Sequence, residues 1–337
     1  MRTLLYTHGI RAGGLLICLV LLLLCAVSSI MFGATHFSWH TAWEALFHYD
    51  KSVSEQIIIR TTRVPRALIA ASIGGSLAIA GALMQALTRN PLAAPSVLGI
   101  NAGATFFIVT AALVFSVDSM KELMWFSFLG AATGALSVYI LGSVGREGLT
   151  PIKIILAGTA MTALFASLTQ GLLVLNKQGL NTVLFWLTGS IAGRSTGLLM
   201  EVLPYMAAAW LAACFLARDM NLLMMGEDTA KGLGQRTLAI KTVTAITIVI
   251  LAGSSVAVAG PIGLIGIVIP HMARFFVGID NRWVIPYCAV LGAILLISAD
   301  VVARFIIIPE EIPVGVMSAV IGAPFFIYIA RKGIVKS

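Results

Sequence analysis

Apolar residues form ten long runs along the chain, separated by short polar segments. A helix needs about 20 largely apolar residues to cross the hydrocarbon core of a bilayer. The runs that qualify lie near 14–34, 67–88, 92–115, 123–142, 152–175, 198–217, 238–258, 262–278, 284–302 and 313–330. A further piece, 181–193, is too short to cross and has an amphipathic pattern, which indicates a re-entrant or surface helix. The pattern predicts an all-α polytopic membrane protein with ten transmembrane helices.

The composition supports a membrane protein over a soluble one. Hydrophobic residues make up 59% and charged residues 11% of the 337 residues, whereas a soluble domain is about 25% charged. The net charge of +8 does not indicate nucleic-acid binding, because Lys and Arg lie singly between apolar segments and form no basic run. Such scattered charges are typical of topology signals in short loops.

The topology follows from the helix count and from the positions of the basic residues. An even number of spans places both termini on one side, and most of the 22 Lys and Arg face the cytoplasm if the N-terminus is inside. We therefore expect both termini to be cytoplasmic, with the first run retained as a helix and not cleaved as a signal. This orientation places Arg60, Arg63, Arg66 and Arg304 on the outer face.

Three arginines precede the second span in the stretch SEQIIIRTTRVPRALIA, 54–68. Val64 precedes a proline and is expected to be extended, while Pro65 suits the first position of a helix. Arg66 would then lie in the first turn. Residue chemistry alone favours anchoring of these side chains to lipid phosphates, the commoner fate of an arginine at a helix end.

Polar groups inside the predicted spans are few, which argues against several classes of protein. An ion-coupled transporter normally keeps carboxylates or histidines near the bilayer midplane. Here the clearest exception is Asp300, whose spacing from Arg304 predicts an i,i+4 ion pair on one helix face. The chain also lacks a Walker A motif, an HExxH pair and a G-x-S-x-G elbow. No catalytic residue, metal ligand or cofactor is predicted, and energy is expected to come from another protein.

A polar interruption between spans six and seven, 217–237, predicts a short helix on the inner side. Glu227 and Asp228 would lie in its first turn and Lys231 near its end, in accord with the helix dipole, with Gly232 or Gly234 as terminator. The adjacent methionines would offer adaptable apolar surface. The helix is interpreted as a docking element, with a plain solvated loop as the alternative.

Glycines recur at GxxxG spacing in three places. The pairs are Gly99 with Gly103, Gly130 with Gly134, and Gly189 with Gly193. Small residues at this spacing let helices approach closely, so we expect a tightly packed bundle.

Long motifs of the chain resemble the FecCD-type permeases of ATP-binding-cassette importers for ferric siderophores, cobalamin and heme. They occur in family order over nearly everything after residue 60. The motifs are RVPRALIAASIGGSLAIAGALMQALTRNPLAAPSVLGINAGA (63–104), TPIKIILAG (150–158), MMGEDTAKGLGQRT (224–237), GPIGLIGIVIPHMARFFVGIDNR (260–282) and PEEIPVGVMSAVIGAPFFIYIARK (309–332). The sequence departs from the usual pattern at Ala94, Leu264 and Asn281, the last at a position often held by His.

The resemblance implies a type II importer permease fold with ten helices per subunit and a dimer around one central path. Two cytoplasmic ATPase subunits and an external substrate-binding protein would be its partners. The family's outer arginines match Arg63, Arg66 and Arg304, which would receive glutamates of the binding protein, and this outweighs lipid anchoring. The role of Arg60 stays open.

On the inner face, the resemblance implies a coupling region at 219–236 and a cytoplasmic gate. The gate residues would be Thr150 and Pro151, and span five with the 181–193 piece would line the path. The coupling residues would be Met225, Gly226, Glu227, Asp228, Ala230, Lys231, Gly232 and Gly234.

The resulting expectation is a single transmembrane permease domain over 1–337, with an N-terminal helix at 14–34 and a core at 60–331. It would lie in the bacterial inner membrane, contact lipid and no nucleic acid, and import an iron-siderophore complex. Cobalamin or heme import is the alternative within the family, and an ion-coupled secondary transporter is the alternative from another class. The sequence leaves open whether the dimer is homomeric or pairs two paralogous permeases.

Overall fold

The computed structural model describes residues 5, 7–33, 37–96, 99–144, 151–175, 187–307 and 311–334, and this part of the chain is helical without a strand. A five-residue π-helix, Ile59–Arg63, joins α3 to α4. The helices are α1 His8–Met31, α2 Trp39–Phe47, α3 Ser54–Ile58, α4 Val64–Thr88, α5 Ile100–Val114, α6 Met120–Ser143, α7 Pro151–Leu175, α8 Thr196–Met224, α9 Glu227–Gly232, α10 Thr237–Ala259, α11 Ile265–Val277, α12 Asn281–Ile306 and α13 Val314–Ile334.

The helices match the ten predicted apolar runs, and the all-α prediction is confirmed. Within the described residues, seven helical segments are long and apolar enough to cross a membrane: α1, the continuous segment Ser54–Thr88, α6, α7, α8, α10 and α12. Three apolar helices are shorter, Ile100–Val114, Ile265–Val277 and Val314–Pro324. The chain is a multi-pass membrane protein, and the count of ten crossings stays a prediction.

Helix α5 is shorter than its predicted run of 92–115. The chain makes turns after Asn90, and the helix begins only after Gly99, which has a left-handed backbone with φ of 73°. Pro91 and Pro95 interrupt this approach because proline lacks the N–H that continues a helix. An apolar run measured by hydropathy alone therefore overestimates this helix.

Helix α4 forms the centre of the bundle, and most of its residues are buried. It packs closely on α12 and α11, since a methyl group on Gly74 would clash with the Gly292 carbonyl and one on Gly81 with the Gly266 carbonyl. Helix α1 is peripheral, and Ser29 is the one fully buried residue among its described positions. Its exposed leucines form a face suited to lipid.

The GxxxG prediction is confirmed at α5 and α6. A methyl group on Gly103 would clash with the Gly130 carbonyl, and one on Gly134 with the Gly99 carbonyl, so backbone meets backbone. Gly189 and Gly193 have positive φ and lie outside a helix, so this pair forms no helix-packing face. Gly189 still makes a close contact, since a methyl group on it would lie 2.8 Å from the Pro261 carbonyl.

The expected extended conformation before Pro65 is wrong. Val64 is helical, with φ of −63° and ψ of −49°, and its N–H bonds the Ile59 carbonyl five residues back. A proline ring normally crowds the preceding helical turn. The wider π-helical turn leaves room for the proline ring, and one helix therefore continues from Ser54 to Thr88.

Contacts of α1 define two polar ends of the bundle. At its beginning, Leu5 N–H bonds the Phe276 carbonyl at 3.1 Å and Tyr287 Oη donates to the Arg11 carbonyl at 2.7 Å. At its other end, Arg304 bonds Ser29. The 24 residues of α1 span about 36 Å, roughly the thickness of a bilayer core. Asp280, the residue before α12, lies at the end where α1 begins, which we call the Asp280 end. We call the opposite end, with Arg304, the arginine end.

Candidate functional site

At the arginine end, charged residues from distant parts of the chain come together. Arg63 ends the π-helix, Arg66 lies in the first turn of α4, and Asp300 and Arg304 lie near the end of α12. Glu311 precedes α13 and completes the set. The structure therefore brings together the three arginines predicted to act at one face, and we call these five residues the arginine cluster.

Arg66 is paired along two edges of its guanidinium group. Its Nε lies 2.8 Å and 3.0 Å from the two carboxylate oxygens of Asp300, and Nη2 lies 2.7 Å from Asp300 Oδ1. On the other edge, Nη1 lies 2.6 Å from Glu311 Oε2. Asp300 is completely buried, so its charge is compensated within the protein.

Arg304 is the largest fully buried side chain of the described residues, and Asp300 is its carboxylate partner. The predicted i,i+4 pair is thus confirmed. Arg304 also ties α12 to α1, because Nη1 donates to the Ser29 carbonyl at 2.7 Å and Nη2 to Ser29 Oγ at 3.0 Å. Arg63 adds a bond from Nη1 to the Phe32 carbonyl at 3.0 Å.

The three arginines are buried beneath the surface and are not presented on a rim. Asp300 and Glu311 already accept hydrogen bonds from Arg66, and Glu311 is the more accessible of the two, with 33% of its side chain exposed. Arg60 is exposed, and its guanidinium stacks over the Tyr49 ring at 4.5 Å. Sequence reasoning missed Glu311, although two carboxylates directly before an apolar run were a visible signal.

The short helix predicted on the other face is confirmed as α9. It begins at Glu227 and ends at Gly232, and Gly226 and Gly234 have positive φ at its two ends. Glu227 pairs with Lys231 at 3.2 Å and with Lys241 of α10. Hydrogen bonds from Lys241 and Lys231 hold the pKa of Glu227 below its usual value.

Polar groups next to α9 join α8 to α12 at the Asp280 end. Asn221 Nδ2 donates to Asp280 Oδ1 at 2.7 Å, and Asn221 Oδ1 accepts from the backbone N–H of Asn281 at 2.8 Å. The end of α8 is thereby joined to the start of α12. Met225 and Leu233, on either side of α9, expose about two thirds of their surfaces, 66% and 63%, which leaves apolar area open to a partner.

The predicted gate and path are only partly described. Thr150 and 181–186 lie outside the described residues, and Pro151 is the first residue of α7. The described remainder of the short piece, 187–193, forms turns. One side of α7 is exposed among the described residues and carries the polar residues Thr159, Ser167 and Gln170.

Comparisons with known proteins agree on one family. The model of the FecCD transport family matches residues 20–332. The chain is 58% identical over 319 residues to the "Probable siderophore transport system permease protein YfiZ" of Bacillus subtilis (strain 168), covering 94% of this chain and 96% of that protein. It is 39% identical to the ferric enterobactin transport system permease protein FepD of Escherichia coli (strain K12), covering 97% and 96% respectively.

A solved structure shows the same architecture. It is described as "An inward-facing conformation of a putative metal-chelate type ABC transporter", and it matches with a TM-score of 0.83 and 28% identity over 95% of this chain and 99% of the solved one. Because the family model covers most of the chain and relatives above 30% identity align along nearly its whole length, the chain belongs to the FecCD transport family.

Proposed function

We propose that the chain is the permease subunit of an ATP-binding-cassette importer that carries a ferric siderophore into the cytoplasm. The 58% identity to a siderophore permease along 94% of the chain is the observation that carries this proposal. As a transporter subunit, the chain performs no covalent chemistry, and a partner ATPase hydrolyses ATP. Cobalamin or heme is the second candidate substrate.

The two polar ends of the bundle support different functions on the two sides of the membrane. The arginine cluster lies at the outer face and serves docking of the substrate-binding protein through Arg63, Arg66 and Arg304. The opposite end is cytoplasmic, along with both termini. There, Met225, Gly226, Glu227, Asp228, Ala230, Lys231, Gly232 and Gly234 contact one of two ATPase subunits.

Alternating access follows from this arrangement. Closure of the ATPases would move α9, and its ion pair with Lys241 and its junction with α8 would pass the movement to α10 and α8. A second permease subunit, identical or paralogous, completes the path. Helix α7 lines this path, with Thr150 and Pro151 at its cytoplasmic gate.

Uptake by a strain that lacks the chain tests the substrate. Radiolabelled iron is presented on a panel of siderophores, with labelled cobalamin and heme as separate arms, and the strain carries either wild type or no chain. Iron uptake that returns only with wild type supports the proposal. If wild type restored cobalamin or heme uptake and not iron uptake, the siderophore proposal would be wrong and that compound would be the substrate.

The source of energy separates an importer subunit from an ion-coupled transporter. The purified chain is expected to bring down an ATPase, and transport in vesicles is expected to stop when the ATPase carries a Walker A Lys→Ala change. Transport that survives this change and collapses with an ionophore would refute the importer assignment, because it would show that an ion gradient suffices.

A further inference from the structure

Glu311 is the more exposed of the two carboxylates that pair with the Arg66 guanidinium among the described residues. Its Oε2 lies 2.6 Å from Arg66 Nη1, and a third of the Glu311 side chain is exposed. The opposite edge of Arg66, formed by Nε and Nη2, is closed by the fully buried Asp300. The two carboxylates bound to this arginine are therefore unequal, since Asp300 is enclosed by protein and Glu311 borders solvent.

Within the part of the chain that the structure describes, a carboxylate that arrives from outside would meet Arg66 at the Nη1 edge, because Asp300 closes the edge formed by Nε and Nη2. Asp300 cannot leave, because it also accepts a hydrogen bond from Arg304, which is itself buried. Glu311 can leave at lower cost, because its charge becomes hydrated when the side chain turns outward. Exchange of one carboxylate for another also keeps Arg66 paired throughout, which avoids the large penalty of an unpaired buried charge.

We propose that Glu311 is an intramolecular substitute for the binding-protein carboxylate and is displaced from Arg66 when the binding protein docks. This inference rests on the proposed docking role of the arginine end. It assigns Glu311 a regulatory part in that role: the residue lowers the affinity for the binding protein by competing for Arg66, and it shields the arginine when no partner is present.

The consequence for affinity has a definite sign. Removal of the Glu311 charge would leave the Nη1 edge without an anionic acceptor, and an incoming carboxylate would no longer have to displace one. Charge-assisted bonds between guanidinium and carboxylate are among the stronger hydrogen bonds of proteins. We expect Glu311→Gln to lower the Kd for the binding protein about three- to tenfold.

The test measures binding to the assembled transporter. The permease dimer with its ATPases is placed in lipid nanodiscs, and the fluorescently labelled binding protein of the same transport system is titrated in. Wild type, Glu311→Gln and Glu311→Asp are compared at equal thermal stability. Glu311→Asp keeps the charge but shortens the side chain. Tighter binding by this variant would therefore come from the lost contact with Arg66, since no charge is removed.

Glu55→Gln is the matched control. Glu55 is an exposed carboxylate of α3, and its replacement removes the same charge from the same end of the helical bundle. Tightening by both Glu311 variants without tightening by Glu55→Gln supports the proposal. Unchanged or weaker binding in both Glu311 variants would overturn it. Equal tightening by Glu55→Gln would also overturn it, because general charge attraction would then suffice.

A separate variant distinguishes failure of this inference from failure of the docking role. Arg66→Gln, at equal thermal stability, is expected to weaken binding at least tenfold if Arg66 receives a partner carboxylate. If Arg66→Gln has no effect, the docking role itself is refuted. If Arg66→Gln weakens binding while the Glu311 variants do not tighten it, docking stands and the substitution by Glu311 is refuted.

Discussion

Asp300 is the residue on which the arginine end depends, since Arg66 and Arg304 both donate to its buried carboxylate. Without Asp300, Arg304 would lose its carboxylate partner and Arg66 would keep Glu311 alone, and a buried charge needs a partner of opposite sign. The arginines proposed for docking are therefore also structural residues. A variant of either arginine tests docking only when its stability is measured alongside.

We expect Asp300→Ala to destabilise the protein strongly, by about 3–5 kcal/mol, because it leaves the buried Arg304 without a carboxylate partner and removes one of the two partners of Arg66. Thermal unfolding of the detergent-solubilised chain measures this change. Asp118→Ala is the control, because Asp118 is an exposed carboxylate in the loop between α5 and α6. Equal unfolding temperatures for the two variants would show that the cluster is not held by Asp300.

Glu227 gives α9 a stability that depends on pH. Its pKa is lowered in the folded state by hydrogen bonds from Lys241 and Lys231, so its contribution is complete above the pKa of the unfolded chain. That contribution is lost as the pH falls through the lower, folded pKa. Because these pairs are partly exposed, we expect only about 0.2–1 kcal/mol.

The measurement is the difference in unfolding temperature between wild type and Glu227→Gln as a function of pH. Wild type should be more stable near neutral pH, and the difference should vanish in acid, where the protonated glutamate resembles glutamine. A difference that is constant from neutral pH into acid would contradict the assignment of the effect to the ion pairs with Lys231 and Lys241.

Single elements differ in how far the sequence predicts them. Helix α9 was predicted within a residue because its charges match the helix dipole and glycines flank it. The ion pair between Arg66 and Asp300 was not predicted. The two residues are 234 positions apart, and only the packing of α4 on α12 brings them together. The π-helix was also missed, since local rules treat the residue before proline as extended.

Helix α7 carries polar residues on an exposed face, where lipid contact would be costly. Thr159 and Gln170 are three turns apart on this face, and Ser167 lies beside them. We expect Gln170→Leu to lower iron uptake several-fold, because an apolar side chain cannot hydrogen-bond a polar chelate. The measurement is the initial rate of uptake at matched membrane abundance.

Val174→Leu serves as the control for this prediction, since Val174 is an exposed apolar residue of the same helix. ATPase activity and binding-protein affinity should be unchanged in both variants. If Gln170→Leu transported at the wild-type rate, the polar face would not line the path, and its exposure would have to reflect contact with the second subunit.

At the scale of the whole molecule, α12 connects the two polar ends. Its first residue, Asn281, bonds Asn221 beside the coupling region, and its last turns carry Asp300 and Arg304. The 26 residues span about 39 Å in one helix. A displacement at one end can therefore reach the other through a rigid element.

We expect Asn221→Ala to weaken this connection, because Asp280 loses its hydrogen bond to α8 and Asn281 keeps there only the contact with the Met224 sulfur. Stimulation of ATP hydrolysis by the binding protein should fall several-fold, while basal hydrolysis and binding-protein affinity stay near wild type. Asp118→Ala, at an exposed position in the loop between α5 and α6, is the control. Full stimulation in Asn221→Ala would show that coupling does not pass through the junction of α8 and α12.

The π-helix at Ile59–Arg63 has a consequence for how the segment before α4 tolerates change in length. A π-turn holds one more residue than the α-helical turn it replaces, so deletion of Thr61 or Thr62 would leave an unbroken helix. Each residue of the wider turn rotates the helix by less than the 100° of an α-helical residue, so α3 would stay on nearly the same side of the common axis after the deletion. Arg60 would remain near Tyr49, and Arg66 and the central bundle would keep their register. The π-helix is thus a place where the chain can lose one residue ahead of α4 without a change in the packing of the bundle.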